Sequence, residues 1–129
     1  MKLGYVILYV PDVAATVAFY ERAFGLKRRF VHESGQYAEM DTGATALAFA
    51  NEDFVATAGL EFARNRRATP AAGAEVGLIS ENVAEAFDAA VAAGAEAVVR
   101  PMQKPWGQTV SYLRDCNGCL VEICSAVAG

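Results

Sequence analysis

An α+β fold made of two β-α-β-β-β modules is what the sequence predicts, and three observations predict it. A helix signature occurs twice: Asp12-Val13 recurs as Asn82-Val83, and the closing Gly25 recurs as Gly94 at nearly the same offset. A β-branched and aromatic run precedes each helix. Three strand-like runs follow each helix, the last two joined by a glycine-containing turn. Self-similarity at a fixed period is the mark of a repeated supersecondary unit.

The elements follow in order. Residues 4–10 are rich in Tyr, Val and Ile and read as a strand. Asp12 is placed to cap a helix, because its carboxylate accepts from backbone N–H groups that have no intrahelical partner. Val13, Val17, Tyr20 and Phe24 recur at helical spacing and form one apolar stripe. Gly25 ends the helix, since glycine adopts the left-handed conformation without a Cβ penalty. Strands over 26–32, 36–41 and 44–50 follow, with a two-residue Thr42-Gly43 turn in the hairpin. In the second half Val76–Ile79 is the strand, Asn82 the cap and Glu85 the partner of a capping box. Val83, Phe87 and Val91 make the stripe. Strands over 96–103, 108–115 and 119–125 complete the module. Cys116-Asn117-Gly118 reads as a three-residue hairpin loop with Gly118 left-handed.

The chain has 129 residues. That suits one domain, with a first module over 1–50, a connector over 51–73 and a second module over 74–129. The connector is polar and turn-rich but carries Phe54, Val55, Leu60 and Phe62, so it is expected to pack, with a helical turn. Its Arg64–Arg67 cluster reads as solvated surface. Hydrophobic residues make up 54% and charged residues 20%. That is globular composition. The net charge of −4 argues against nucleic acid, whose phosphates need a basic footprint, and against an anionic membrane. The apolar run Leu3–Val10 is too short to span a bilayer and lacks a cleavage pattern, so a cytoplasmic location is expected. Cys116, Cys119 and Cys124 are an odd number bunched near the end, a poor disulfide framework. Reduced thiols are the expected state.

Strand alternation assigns side chains to faces. In the second hairpin Leu113, Val121 and Ile123 share the core side, and Val110, Tyr112, Arg114, Leu120, Glu122 and Cys124 the other. In the first hairpin Ala38, Met40, Leu47 and Phe49 fall on the core side, and Tyr37, Glu39, Asp41, Ala46 and Ala48 opposite. Tyr5, Ile7 and Tyr9 form one set on the first strand, and Glu75, Gly77 and Ile79 one set on the fifth.

Val10-Pro11-Asp12-Val13 before a helix holding Phe19-Tyr20 and ending Phe24-Gly25-Leu26, together with Pro105-Trp106-Gly107, Tyr112–Asp115, Asn117-Gly118 and Leu120–Ile123, resembles the glyoxalase/bleomycin resistance/extradiol dioxygenase superfamily, the vicinal oxygen chelate proteins. The resemblance covers nearly the whole chain. It implies two curved sheets around a cleft, and a homodimer. It also implies two kinds of activity: metal-dependent enzymes, and metal-free proteins that sequester a drug. Metal-dependent relatives place His, Gln or Glu at four related positions, which here are Tyr5, Ala48, Glu75 and Glu122. None is histidine, and Ala48 has no donor. About three firm protein donors are needed for a catalytic divalent site, so no metal and no cofactor are expected. The single histidine, His32, lies away from these positions.

What remains for the cleft is aromatic and acidic: Tyr5, Ile7, Tyr37, Glu39, Ala48, Glu75, Trp106, Tyr112 and Glu122 are the expected ligand-binding residues. Aromatic faces and carboxylates suit a planar or cationic small molecule. Ordinary packing explains the same residues, with Trp106 shaping a turn and Tyr112 against Glu122 as a cross-strand pair. Three functions stay open at this point: a non-catalytic binding protein conferring resistance by sequestration, which the residues favour; a metal-dependent lyase, isomerase or dioxygenase; and a structural or regulatory dimer with a vestigial cleft.

Overall fold

The computed structural model describes residues 1–127, so residues 128–129 of the expected second module lie outside the described residues. The chain divides into two compact units, Met1–Asn65 and Arg66 onward. The first runs β1 (Tyr5–Val10), α1 (Val13–Phe24), β2 (Lys27–Val31), β3 (Tyr37–Asp41), β4 (Ala46–Asn51) and the short α2 (Glu52–Ala56). Its sheet has the order β1-β4-β3-β2, with β1 parallel to β4 and the remaining pairs antiparallel.

Local chemistry explains α1. Asp12 Oδ1 accepts from the Ala15 N–H at 3.0 Å. At the other end Gly25 is left-handed, with φ 67°, and the N–H groups of Gly25 and Leu26 donate back to Glu21 and Tyr20. Val13, Val17 and Tyr20 are buried as the stripe requires, joined by Thr16, Phe19 and Ala23. Tyr20 lies 4.9 Å from Phe49, ring to ring, which fixes α1 on the Ala38, Met40, Leu47 and Phe49 face. The connector does carry the expected helical turn, in which Asn51 Oδ1 accepts from the N–H groups of Asp53 and Phe54 at 3.0 Å and starts α2, but it packs less than expected: Phe54 and Leu60 are exposed, and Val55 and Phe62 are half-buried.

The first hairpin corrects the expected turn. A two-residue Thr42-Gly43 loop would set Glu39 opposite Ala46. Instead Glu39 pairs with Ala48 and Met40 with Leu47, leaving residues 42–45 as the loop. Thr42 is the reason, because its Oγ1 donates to the Thr45 carbonyl at 2.8 Å and accepts from Leu47 N–H at 2.9 Å. A slip of two leaves every side chain on its expected face.

The second unit runs β5 (Glu75–Ile79), α3 (Val83–Ala92), β6 (Glu96–Gln103), β7 (Thr109–Arg114) and β8 (Leu120–Cys124), in the order β5-β8-β7-β6. Asn82 caps α3 through Glu85 N–H at 3.1 Å. The capping box is altered: Glu85 accepts from the Asn82 side-chain amide, and the Asn82 backbone N–H goes to Ser80 Oγ. Pro101 sits in β6 where the register with β7 shifts, on an edge strand that tolerates a missing N–H. The β7–β8 hairpin has the expected loop, with Gly118 at φ 89° and Asp115 N–H bonded to the Cys119 carbonyl. Asp115 is wholly buried, and its Oδ1 accepts from Asn117 and Cys119 N–H. Among the described residues no helix is long and apolar enough to cross a membrane.

Candidate functional site

Each sheet carries its helix on one face, and the candidate residues fall on the other. In the first unit that face is laid out in rows. Tyr5 is level with Ala46, Ile7 with Ala48 and Tyr9 with Ala50, because β1 and β4 pair in parallel. Across β4, Ala48 is level with Glu39 and Ala50 with Tyr37. Alanines therefore floor the sheet between two banks of larger side chains. Tyr5 is 57% exposed, whereas Ala48 is fully buried and acts as floor rather than contact surface.

Glu39 is 8% exposed and fully engaged. Tyr37 donates its hydroxyl to Glu39 Oε2 at 2.8 Å, and Arg29 Nη1 stands 3.5 Å from Oε1. The Tyr37 phenol is pushed up to about 12, chiefly by burial and then by the Glu39 carboxylate. Arg29 also reaches Asp41 Oδ1 at 3.3 Å and the Gly43 carbonyl at 3.1 Å. The expected free carboxylate is thus an ion-paired one. Sequence reasoning missed Arg29 because a β-bulge displaces it: β2 pairs Arg28 with Met40 but Phe30 with Glu39, and Arg29 is the extra residue. The signal was the basic run Lys27-Arg28-Arg29 ahead of a strand holding Glu39 and Asp41.

In the second unit Tyr112 is opposite Glu122, as alternation predicts, and Gly77 is level with Glu122 while Glu75 is level with Leu120. Glu75 and Glu122 face one another on this side of the sheet, so the charge of one opposes the ionisation of the other. Glu75 titrates above its ordinary value, first through partial desolvation of its carboxyl and then through the neighbouring Glu122 carboxyl. The Tyr112 phenol is raised by burial and by Glu122. Cys124 donates its thiol to the Leu78 carbonyl at 3.8 Å, and that thiol is pushed up to about 11 by burial and then by Glu122. Gln108 accepts from Trp106 Nε1 at 2.9 Å and donates to the Ser125 carbonyl. Trp106 is 60% exposed. The structure therefore gathers Glu75, Glu122 and Tyr112 in one electrostatically interacting set, while Trp106 is tied through Gln108 to Ser125, just past the end of β8; Gln108 is a linking member the sequence did not single out.

Arg114 shares the face of Tyr112 and Glu122 by register but serves another purpose. Its guanidinium donates to the carbonyls of Gly118 (2.9 Å), Arg67 (3.2 Å), Arg66 (3.1 Å) and Thr69 (2.6 Å), pinning the connector to the hairpin. In the basic cluster Arg64 bridges Glu52 and Asp53. His32 stands at a turn, bonded to Ser34. All three cysteines are unbridged. Cys119 is held as a thiol at about 12, by burial and then by Asp115.

The donor set does not fit a catalytic divalent metal. Ala48 has no donor and Tyr5 offers a neutral phenol, which leaves Glu75 and Glu122 as the only charged donors at the four positions. Among the described residues no three His, Cys, Asp or Glu side chains gather around a common point.

Paired β-α-β-β-β units with aromatic and acidic helix-free faces define a class, and comparison with known proteins places the chain in it. The Glyoxalase/Bleomycin resistance protein/Dioxygenase superfamily matches residues 2–123, and the chain belongs to that superfamily. A glyoxalase-related enzyme from Fulvimarina pelagi superposes with a TM-score of 0.82 at 19% identity, covering 98% of this chain and 88% of that one. A glyoxalase/bleomycin resistance protein/dioxygenase family enzyme from Burkholderia phytofirmans PsJN gives 0.81 at 21% identity, covering 99% and 100%. TioX from Micromonospora sp. ML1 gives 0.71 at 24% identity, covering 97% and 98%. At such identities these likenesses concern the fold. No curated protein matches the chain.

Proposed function

We propose that this protein is a non-catalytic receptor for a planar organic cation, held without a resident metal, acting by sequestration and assembled as a homodimer. The observation that carries the reading is the Glu75–Glu122 carboxyl pair beside Tyr112, with the exposed Trp106 tied through Gln108 to Ser125 just past the end of β8. None of the ion pairs among the described residues involves either carboxyl. Arg114, the cation on the same face, is committed to backbone carbonyls. Negative charge without a protein counter-ion, next to aromatic surface, is the complement of a flat cation.

Trp106 is the sole tryptophan and reports on this set directly. Titration of planar aromatic cations into the protein should quench its fluorescence saturably, and EDTA should leave the quenching unchanged. Glu122→Gln should weaken binding about tenfold or more, the scale of one lost charge-assisted contact of about 1.5–3 kcal/mol. Quenching that EDTA abolishes would instead favour a metal-dependent lyase, isomerase or dioxygenase. Absence of quenching across the panel would overturn the receptor reading. Sedimentation equilibrium should return twice the mass of one chain, and a single-chain mass would remove the homodimer.

A further inference from the structure

We infer that Gly77 is a specificity-determining residue: its missing side chain opens a slot in the helix-free face of the second unit, and that slot selects a flat cation whose charged end is slender and bears N–H groups. This deepens the receptor reading and rests on it.

Among the described residues Gly77 is the one glycine inside a strand. Such a glycine weakens its strand, because it adds backbone freedom and packs no side chain. Three demands of a fold call for one, and none applies here. A left-handed backbone is the first, but Gly77 has no positive φ, unlike Gly25 or Gly118. A bulge is the second, but β5 and β8 stay in register from Glu75–Leu120 to Ile79–Cys124. Close approach of another part of the chain is the third, but a Cβ at Gly77 would meet nothing within 4 Å. The side chain of Glu122, which is level with Gly77, therefore does not lean across to fill the room. The repeat sharpens the point. Ile7 is level with Ala48 in the first unit as Gly77 is with Glu122 in the second, so this place in the module accepts a full β-branched side chain. What is left is room kept for a molecule that meets the strand from outside.

The walls supply the chemistry. Along β5 the helix-free face reads Glu75, Gly77, Ile79, so the slot lies between a carboxyl and an apolar side chain that is 71% exposed. The Cα atoms of those two walls stand about 13 Å apart, four residues at the rise of a parallel strand. On β8 Glu122 is level with the slot, and on β7 Tyr112 is level with Glu122. The Glu75 and Glu122 carboxyls are near enough for one to oppose the ionisation of the other. A cationic group that enters beside Gly77 meets both, and its N–H groups donate to them as charge-assisted hydrogen bonds. A charged end wrapped in methyl groups brings more bulk to the same walls and no donor. It stays above the slot, where the Tyr112 ring still attracts it.

The test uses two dyes with one ring system and one charge at neutral pH, both read by quenching of Trp106. Proflavine carries an NH2 group at each end, and acridine orange carries dimethylamino groups there. Wild type should bind proflavine about tenfold or more tightly, the scale of a hydrogen bond to a charged group that only one dye makes. Gly77→Val fills the slot with a side chain suited to a strand, and should bring the ratio of affinities close to one by weakening proflavine alone. Gly77→Ala should move the ratio in the same direction, which keeps the inference testable if the valine variant folds poorly. General loss of structure weakens both dyes alike and does not move the ratio. Equal affinities in wild type, or a ratio unchanged in either folded variant, overturns the slot while saturable quenching still supports the receptor. Loss of the two-chain mass in Gly77→Val overturns it too, because the room then serves a second copy. Absence of quenching by both dyes overturns the receptor reading, and this inference with it.

Discussion

Gly118 shows how a single position fixes the second unit. Its φ of 89° is left-handed. That conformation is costly for any residue with a Cβ, about 1 kcal/mol or more. A Cβ here would also run into the Arg66 carbonyl and sit 2.7 Å from Arg114 Nη2. Both contacts belong to the Arg114 clasp on the connector, so neither neighbour can yield without losing hydrogen bonds. Gly118→Ala should therefore cost about 2 kcal/mol, seen as a fall in melting temperature of about 8 °C at this chain length. Gly77→Ala is the control, because it lies in β5 with open space around the new methyl. Its effect should stay within about 0.5 kcal/mol. Equal melting temperatures for the two variants would refute the clasp.

At the scale of elements, the Glu75–Glu122 pair is a product of parallel pairing between β5 and β8, which brings the two side chains to one face. Glu75 titrates above its ordinary 4.5 because burial and Glu122 oppose its ionisation. A carboxyl raised in the folded state favours folding below the unfolded value, and that contribution is lost as pH rises through the folded value. Glu75→Gln keeps the shape of the side chain and removes the charge. Its melting temperature should match wild type near pH 4 and exceed it as pH rises through the raised value; a constant difference between pH 4 and pH 8 counts against the opposition of the two carboxyls. The same elements show what the sequence made legible. The N-caps Asp12 and Asn82, the α1 stripe and the three-residue β7–β8 loop are encoded within a few neighbouring residues, and they emerged as read; in α3 Val83 and Phe87 are buried but the expected third member, Val91, is exposed and Ala90 is buried instead. Strand faces emerged too, because a two-residue error at Thr42 preserves parity. The bulge at Arg29 did not, since nothing local distinguishes it from Arg28. Nor did the Trp106–Gln108–Ser125 link, which depends on a loop meeting the residue that follows β8.

For the molecule as a whole, net charge, fold and donor set lead to opposite expectations for the two activities its superfamily contains. A receptor for an organic cation is stabilised by its ligand alone. At a ligand concentration of about 100 times Kd that linkage is worth about 2.7 kcal/mol, or about 10 °C in melting temperature. Because attraction to a partly exposed carboxyl pair is screened, the gain should shrink as salt is raised from low to physiological strength. Glu122→Gln should cut the ligand-induced rise to about half or less, while its ligand-free melting temperature stays at or above wild type, since one of two opposed carboxylates is gone. EDTA should change neither value. An enzyme that holds a divalent ion would reverse the pattern, losing stability in EDTA and more so once Glu122 no longer ligates. Differential scanning fluorimetry across ligand, salt and chelator in wild type and Glu122→Gln separates the two, and a melting temperature that falls in EDTA would exclude the metal-free receptor.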